Sequence, residues 1–230
     1  MIKRLSLAIL AASAALTLAG CATSAPPALS YPPNPMVGGA AMSPDRTIVS
    51  NAMRSLDHTT FHAALRSTGL AEILAGAGPF TVFAPDNSAF AELPVLDALL
   101  QPENKTALTR VLTYHVVLGR ISSDELARMI RAGGGRAWLK TASAGELLAT
   151  LKDGKIMLTD ESGASATVAI ADVRSSNGIL HVVDKVLIQR GFPGTLYRGR
   201  SEQSMALDPS WPADLNGSAP ARREPRMPRH

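Results

Sequence analysis

The spacing of apolar residues changes once along this chain, and the change divides its folded part in two. From Asp45 to Gly135 the apolar positions recur at intervals of three and four, the period of a helix. Asp45 to Met53 opens one such segment. Phe61, Ala64 and Leu65 form a stripe with Asp57 as its expected cap and Gly69 as its stop. Leu70–Leu74 is a shorter helix closed by Gly76 and Gly78. Leu108, Val111 and Leu112 line another after Pro102, and Leu126, Met129 and Ile130 a further one. That last helix starts at Ser122-Ser123-Asp124-Glu125, a capping box in which Glu125 is expected to reach back to Ser122, and it stops at Gly133-Gly134-Gly135. Two short strands interrupt the helices. One is Thr81–Phe83, stopped by Pro85, with Asp86 placed to cap the next helix; the other is Tyr114–Leu118. From Trp138 onward the period is two, which predicts strands over Trp138–Thr141, Glu146–Leu151, Lys155–Thr159, Ala166–Ile170 and Ile179–Ile188. Asp153-Gly154 and Asn177-Gly178 supply the positive φ angles of primed hairpin turns. The class is α+β, with helices mainly in the first half and strands in the second.

The ends follow other rules. Lys3 and Arg4 precede an apolar run, Leu5–Leu18, that is shorter than the ~20 residues a membrane-spanning helix needs. Leu18-Ala19-Gly20-Cys21 resembles a bacterial lipobox. Residues 1–20 are therefore expected to be a lipoprotein signal peptide, and Cys21, the only cysteine, the lipidated N-terminus of the mature chain. Ala22 stands where inner-membrane lipoproteins usually carry Asp, which favours an outer-membrane address, periplasmic or surface-facing. Residues 21–44 hold Pro26, Pro27, Pro32, Pro33, Pro35 and Pro44 and no charge, and read as an extended tether. Residues 45–190 are a normal size for one domain. Residues 191–230, rich in Arg and Pro, read as a disordered tail.

The formal charge of +4 changes meaning once it is divided by region. Lys3 and Arg4 supply two positive charges. In the tail Arg198, Arg200, Arg222, Arg223, Arg226 and Arg229 stand against Glu202, Asp208, Asp214 and Glu224, which supplies the other two. The predicted domain is neutral, so the high isoelectric point does not describe a basic face of the kind nucleic acid requires.

Little in the domain is arranged for catalysis. His115, His181, Asp86, Asp184 and Ser88 are residue types that serve as acids, bases or nucleophiles, but no Gly-x-Ser-x-Gly elbow and no phosphate-binding loop is present. Strand alternation sends His181 and Asp184 to opposite faces. Both histidines fit better as buried, hydrogen-bonded side chains. His58 and His62 lie four apart, a spacing that suits two ligands of one metal, without an evident third. No catalytic residue, metal or cofactor is expected.

Three blocks carry a resemblance. They are Thr81-Val82-Phe83-Ala84-Pro85-Asp86-Asn87-Ser88-Ala89-Phe90, then Tyr114-His115-Val116-Val117, then Asn177-Gly178-Ile179-Leu180-His181-Val182-Val183-Asp184. In this order and spacing they resemble the signatures of the fasciclin domain family, with Asp86 where many members carry Thr. The resemblance implies a wedge of twisted β structure flanked by helices. It also implies a protein that binds or adheres rather than catalyses. Signature positions Asp86, Asn87, Tyr114, His115, His181 and Asp184 become the candidate binding residues, and Tyr114-His115 is the motif tied to receptor contact in animal members. Expected partners are a surface protein, matrix or envelope polysaccharide, and the membrane through the lipid anchor. A carrier or sensor of a small apolar ligand, lipid or pigment, is the alternative.

Overall fold

The computed structural model describes residues 33–191; the expected signal peptide, Cys21, most of the expected tether and the expected tail from residue 192 lie outside the described residues. The folded body begins at Asn34, eleven residues before the predicted boundary. A small hairpin, β1 (Met36–Val37) and β2 (Ala40–Ala41), turns through Gly38 and Gly39, both at positive φ. It buries Val37 and Met42 in the main core, while the Asn34 side chain exchanges two hydrogen bonds with the backbone of Arg174. The tether reading fails here because two-residue strands are too short to show a period.

Four short helices and two of ten residues cover the first half. They are α1 (Ile48–Ala52), α2 (Thr59–Thr68), α3 (Leu70–Ala75), α4 (Asn87–Ala91), α5 (Leu96–Leu99) and α6 (Lys105–Tyr114); α7 (Ser123–Ala132) follows. Between them run β3 (Phe80–Pro85) and β4 (Val116–Leu118). The second half supplies β5 (Arg136–Lys140), β6 (Glu146–Lys152), β7 (Lys155–Thr159), β8 (Ser165–Ser175) and β9 (Gly178–Val183). Strands β3 to β9 form one seven-stranded sheet in the order β4-β3-β9-β8-β7-β6-β5. Only β3 and β9 run parallel; every other neighbour is antiparallel. The sheet curls until its ends meet, where Val117 bridges Thr141 and the Ala142 N–H donates to the Val116 carbonyl at 2.7 Å.

The two faces of the central strands feed two cores, as strand alternation requires. Val82, Ala84, Leu180 and Val182 pack against α1, α2, α3 and α6. Phe83, Val117 and Val183 point the other way and meet Leu126 and Ile130 of α7 inside the curl, together with Leu139, Leu147 and Leu158.

Several local expectations are corrected. Ser55, not Asp57, caps the first turn ahead of α2, accepting from the Asp57 N–H. Tyr114 ends α6 instead of starting a strand. Ser122 caps α7, but the Glu125 carboxylate pairs with Arg128 at 3.2 Å instead of reaching back. The Asp153-Gly154 turn forms as predicted, both residues at positive φ between the paired Lys152 and Lys155. The next hairpin is shifted by one: Ser175 pairs with Gly178, so Ser176-Asn177 is the loop and Gly178 opens β9. Glycine is required there because a Cβ would stand 2.0 Å from the Phe80 carbonyl oxygen. Strand β9 stops at Val183, and residues 184–190 continue as irregular backbone.

The hairpin's contribution is measurable. Val37 is 3% exposed and Met36, its neighbour on the opposite face, is 60% exposed. Val37→Ala is expected to cost about 1–2 kcal/mol of unfolding free energy in urea, and Met36→Ala to stay within about 0.5 kcal/mol of wild type.

Candidate functional site

Asp86, Asn87, Asp184 and Asn177 lie at the two ends of the parallel β3–β9 pair, with His181 within β9 and Tyr114-His115 at the corner between α6 and β4, and each is committed to a backbone partner. At the far end, Pro85 stops β3 and Asp86 turns the chain into α4. Its Oδ1 accepts from the Ala89 N–H at 2.7 Å and from the Ser88 hydroxyl at 2.6 Å, the expected helix cap. Asn87 serves a different helix. Its Oδ1 accepts from the Thr60 N–H at 3.0 Å and the Thr59 hydroxyl at 3.1 Å, and its Nδ2 donates to the Leu56 carbonyl at 2.8 Å. Helix α2 has no cap from its own preceding residue, His58, so Asn87 supplies one from across the fold. Asp184, just past β9, accepts from the Thr167 N–H at 2.6 Å and so extends the pairing with β8.

Asn177 does the same work at the near end. Its carbonyl oxygen takes the Phe80 N–H, its Oδ1 takes the Ile48 N–H at the start of α1, and its Nδ2 donates to the carbonyls of Leu74 and Gly76 closing α3. The residue type suggested a turn; its role as a three-way clamp had no local signal.

Tyr114 and His115 sit at the corner between α6 and β4, fully buried. The Tyr114 hydroxyl donates to the Glu146 carbonyl at 2.6 Å and accepts from the Glu161 N–H at 3.2 Å. Burial pushes its pKa up. One His115 nitrogen, Nδ1, lies 2.8 Å from the Val111 carbonyl, and Nε2 accepts from the Leu187 N–H at 3.0 Å. His181 lies between β3 and β8, stacked on Phe83 with ring centroids 5.5 Å apart. Its Nε2 faces the Ile121 carbonyl at 3.0 Å, and its Nδ1 accepts from the Asp172 N–H at 3.3 Å. Asp172 stands in a bulge of β8 at φ 61°, and its carboxylate receives the N–H and hydroxyl of Ser123 at the start of α7. Each imidazole thus gives one N–H to a carbonyl and accepts one backbone N–H, which fits the neutral ring alone. Neither ring is hydrogen-bonded to a serine; the hydroxyls of Ser88 and Ser123 donate to Asp86 and Asp172. His58 is buried with Nδ1 2.8 Å from the Ser55 hydroxyl and Nε2 without a hydrogen-bond partner. His62 is half-buried on α2. Among the described residues no three potential metal ligands gather.

A model of the Fasciclin domain matches residues 56–189, more than half of the chain. The chain belongs to the fasciclin domain family. It is 43% identical over 157 residues to Protein sll1483 of Synechocystis, covering 66% of this chain and 79% of that one. It is 30% identical over 156 residues to the immunogenic protein MPB70 of Mycobacterium bovis, covering 64% and 70%. It is 32% identical over 125 residues to the pig transforming growth factor-beta-induced protein ig-h3, covering 54% of this chain and 16% of that one. The solved FAS1 domain pair of the insect cell adhesion molecule Fasciclin I shares the fold, with a TM-score of 0.57 at 16% identity, over 63% of this chain and about half of the pair. The predicted α+β fasciclin wedge is the fold observed.

In this fasciclin domain burial sets the histidine chemistry. Desolvation pushes His115 down to about 4, against smaller opposing effects of the Val111 carbonyl and Asp160. It also lowers His181, against the Ile121 carbonyl and Asp172, and His58, against Ala84, Asp86 and Asp57. A ring with a lowered folded pKa leaves the unfolded chain holding more protons, so stability rises with pH until the unfolded histidine is neutral. Unfolding free energy is expected to be flat from about pH 7 to about pH 9, below the range where the unfolded tyrosine ionises, and to fall from pH 6.5 towards 4, His115 alone removing about 3 kcal/mol. Denaturant midpoints across that window check this, and His115→Gln is expected to flatten part of the slope.

The two adjacent caps separate by mutation. Asp86→Ala is expected to cost about 1 kcal/mol, as for a local cap, and Asn87→Ala about 2 kcal/mol because it also cuts the tie between α4 and α2. Urea denaturation of both variants and their double mutant checks the order.

Proposed function

We propose that this chain is a non-enzymatic binding module of the cell envelope, tethered through an acylated Cys21 and engaging a surface protein or a matrix or envelope polymer. One observation carries the reading. Each of the candidate residues Asp86, Asn87, Tyr114, His115, His181 and Asp184 is hydrogen-bonded to backbone within the domain, so the motifs build a scaffold rather than a reactive site. The family is of the non-enzymatic, adhesion type, and its relative Fasciclin I is a cell adhesion molecule. The N-terminal sequence supports the tether: Lys3 and Arg4, the apolar run, and Leu18-Ala19-Gly20-Cys21. Many tethered copies would multiply weak contacts, since a second contact between the same surfaces forms at high effective concentration.

Metabolic labelling with a palmitate analogue tests the tether. The label is expected in the wild-type protein and absent from Cys21→Ser, which accumulates unprocessed or soluble. Deletion of the gene tests the binding role. Attachment to surfaces or to neighbouring cells is expected to fall and to return with the wild-type copy but not with Cys21→Ser. Unchanged attachment on deletion would sink the adhesion reading.

A further inference from the structure

The outer face of the curled sheet carries an open recess of about 480 Å3 in which an unburied tryptophan stands beside fixed polar groups. Trp138 of β5 is 61% exposed, while its strand neighbours Ala137 and Leu139 are 7% and 2% exposed. The chain has two tryptophans, and leaving one of its largest apolar side chains in water forgoes much available burial. Trp138 pairs across the strands with Leu148, and Leu148 with Thr159. Indole, isobutyl group and hydroxyl therefore form one row over three strands, a strip along the open recess.

Polar groups at the end of this strip are held in place. The Glu161 carboxylate accepts the Glu146 N–H at 3.0 Å through one oxygen and the Arg190 N–H at 3.1 Å through the other. The Arg190 guanidinium donates to the Glu161 carbonyl at 3.3 Å, and the Tyr114 hydroxyl below joins the same two backbone segments. Acceptors and donors thus flank an aromatic surface with little freedom to rearrange, the condition that lowers the ordering cost of binding. The charges do not select a polyanion. Glu146, Asp160 and Glu161 line the recess with Arg190, and Lys140 lies across the strand pair from Glu146.

We propose that this recess binds a neutral oligosaccharide, a pyranose stacking its C–H face on Trp138 and its hydroxyls meeting Glu146, Glu161 and Arg190. A sugar ring suits such a strip because one face is apolar and its edge both donates and accepts. The volume is within the range of small-ligand sites. The inference deepens the binding role proposed above, on which its biological use rests, by naming the polymer class and the surface that meets it.

The test uses the full mature chain carrying Trp211→Phe, so that Trp138 is the only indole. It is titrated with a β-1,4-linked N-acetylglucosamine tetramer, a β-1,4-linked glucose tetramer and tetragalacturonate. A saturable change in Trp138 emission is expected with a neutral tetramer, at a Kd of about 1 mM or tighter. Ligand-observed NMR is expected to show at least ten-fold weaker binding for Trp138→Ala and an intermediate loss for Trp138→Phe, with far-UV circular dichroism and Tm unchanged. No saturation with either neutral tetramer by about 10 mM, or a response to tetragalacturonate alone, overturns the proposal. Sugar binding in a protein whose deletion leaves attachment unchanged keeps this site and removes the adhesion reading. Attachment lost on deletion but retained in Trp138→Ala, with no sugar response, removes this site alone.

Discussion

The structure depends on one long-range pairing, that of β3 with β9. These two strands are parallel, they are far apart in sequence, and their register runs unbroken from Phe80 with Gly178 to Pro85 with Val183. A parallel pair has no hairpin to set its register, so something else must. Here the ends do it. Asn177 receives the Phe80 N–H at one end, and the Asp86 N–H donates to the Val183 carbonyl at the other. Each of these residues then continues outward: Asn177 to α1 and α3, Asp86 to α4, and Asn87 beside it to α2. The register of the central strands and the placement of the helical layer are therefore one constraint. It explains why the polar residues of the first and third sequence blocks, Asp86, Asn87, Asn177 and Asp184, lie at these ends.

The same constraint accounts for the buried imidazoles. Bulges in β8 and the irregular run after β9 leave backbone groups without ladder partners inside the protein. An unpaired buried N–H or carbonyl costs about 1–3 kcal/mol. His181 serves the Asp172 N–H and the Ile121 carbonyl, and His115 serves the Leu187 N–H and the Val111 carbonyl. A neutral histidine is well suited to this task because it offers one donor and one acceptor on opposite sides of a flat ring. The cost is sensitivity to acid, since protonation removes the acceptor that the backbone N–H requires.

What could be read from the sequence divides along the distance between partners. Asp86 caps a helix three residues away, and Asp153-Gly154 forms its own turn, so both follow from local chemistry. Asn87 caps α2 from 27 residues away, and Asn177 reaches Ile48 across 129. Residue type marked these positions as polar and turn-forming but gave no direction to the contact. The Ser122 box forms by half: Ser122 accepts the Glu125 N–H, a local contact, while the Ser123 N–H goes to Asp172 across a bulge and the Glu125 carboxylate turns to Arg128. Val37 and Met42 were hidden for another reason. A prolyl, uncharged stretch reads as tether by composition, and a hairpin with two-residue strands has too little periodicity to oppose that reading.

These commitments also determine where recognition has room to operate. Strand β9 is buried on both faces, from Gly178 to Val183, and the curl of the sheet around α7 uses the inward positions of β5, β6 and β7. The helical layer covers the opposite side of β3 and β9. What remains uncovered is the outward row of the antiparallel strands, where one residue in two is released from packing. Trp138 lies in that row. A change there alters the surface without touching the staples at the strand ends, whereas a change at Asn87, His115 or Asn177 disturbs the frame itself. With its signature residues consumed by architecture, the fold leaves this outward row as the face on which the proposed recognition would act.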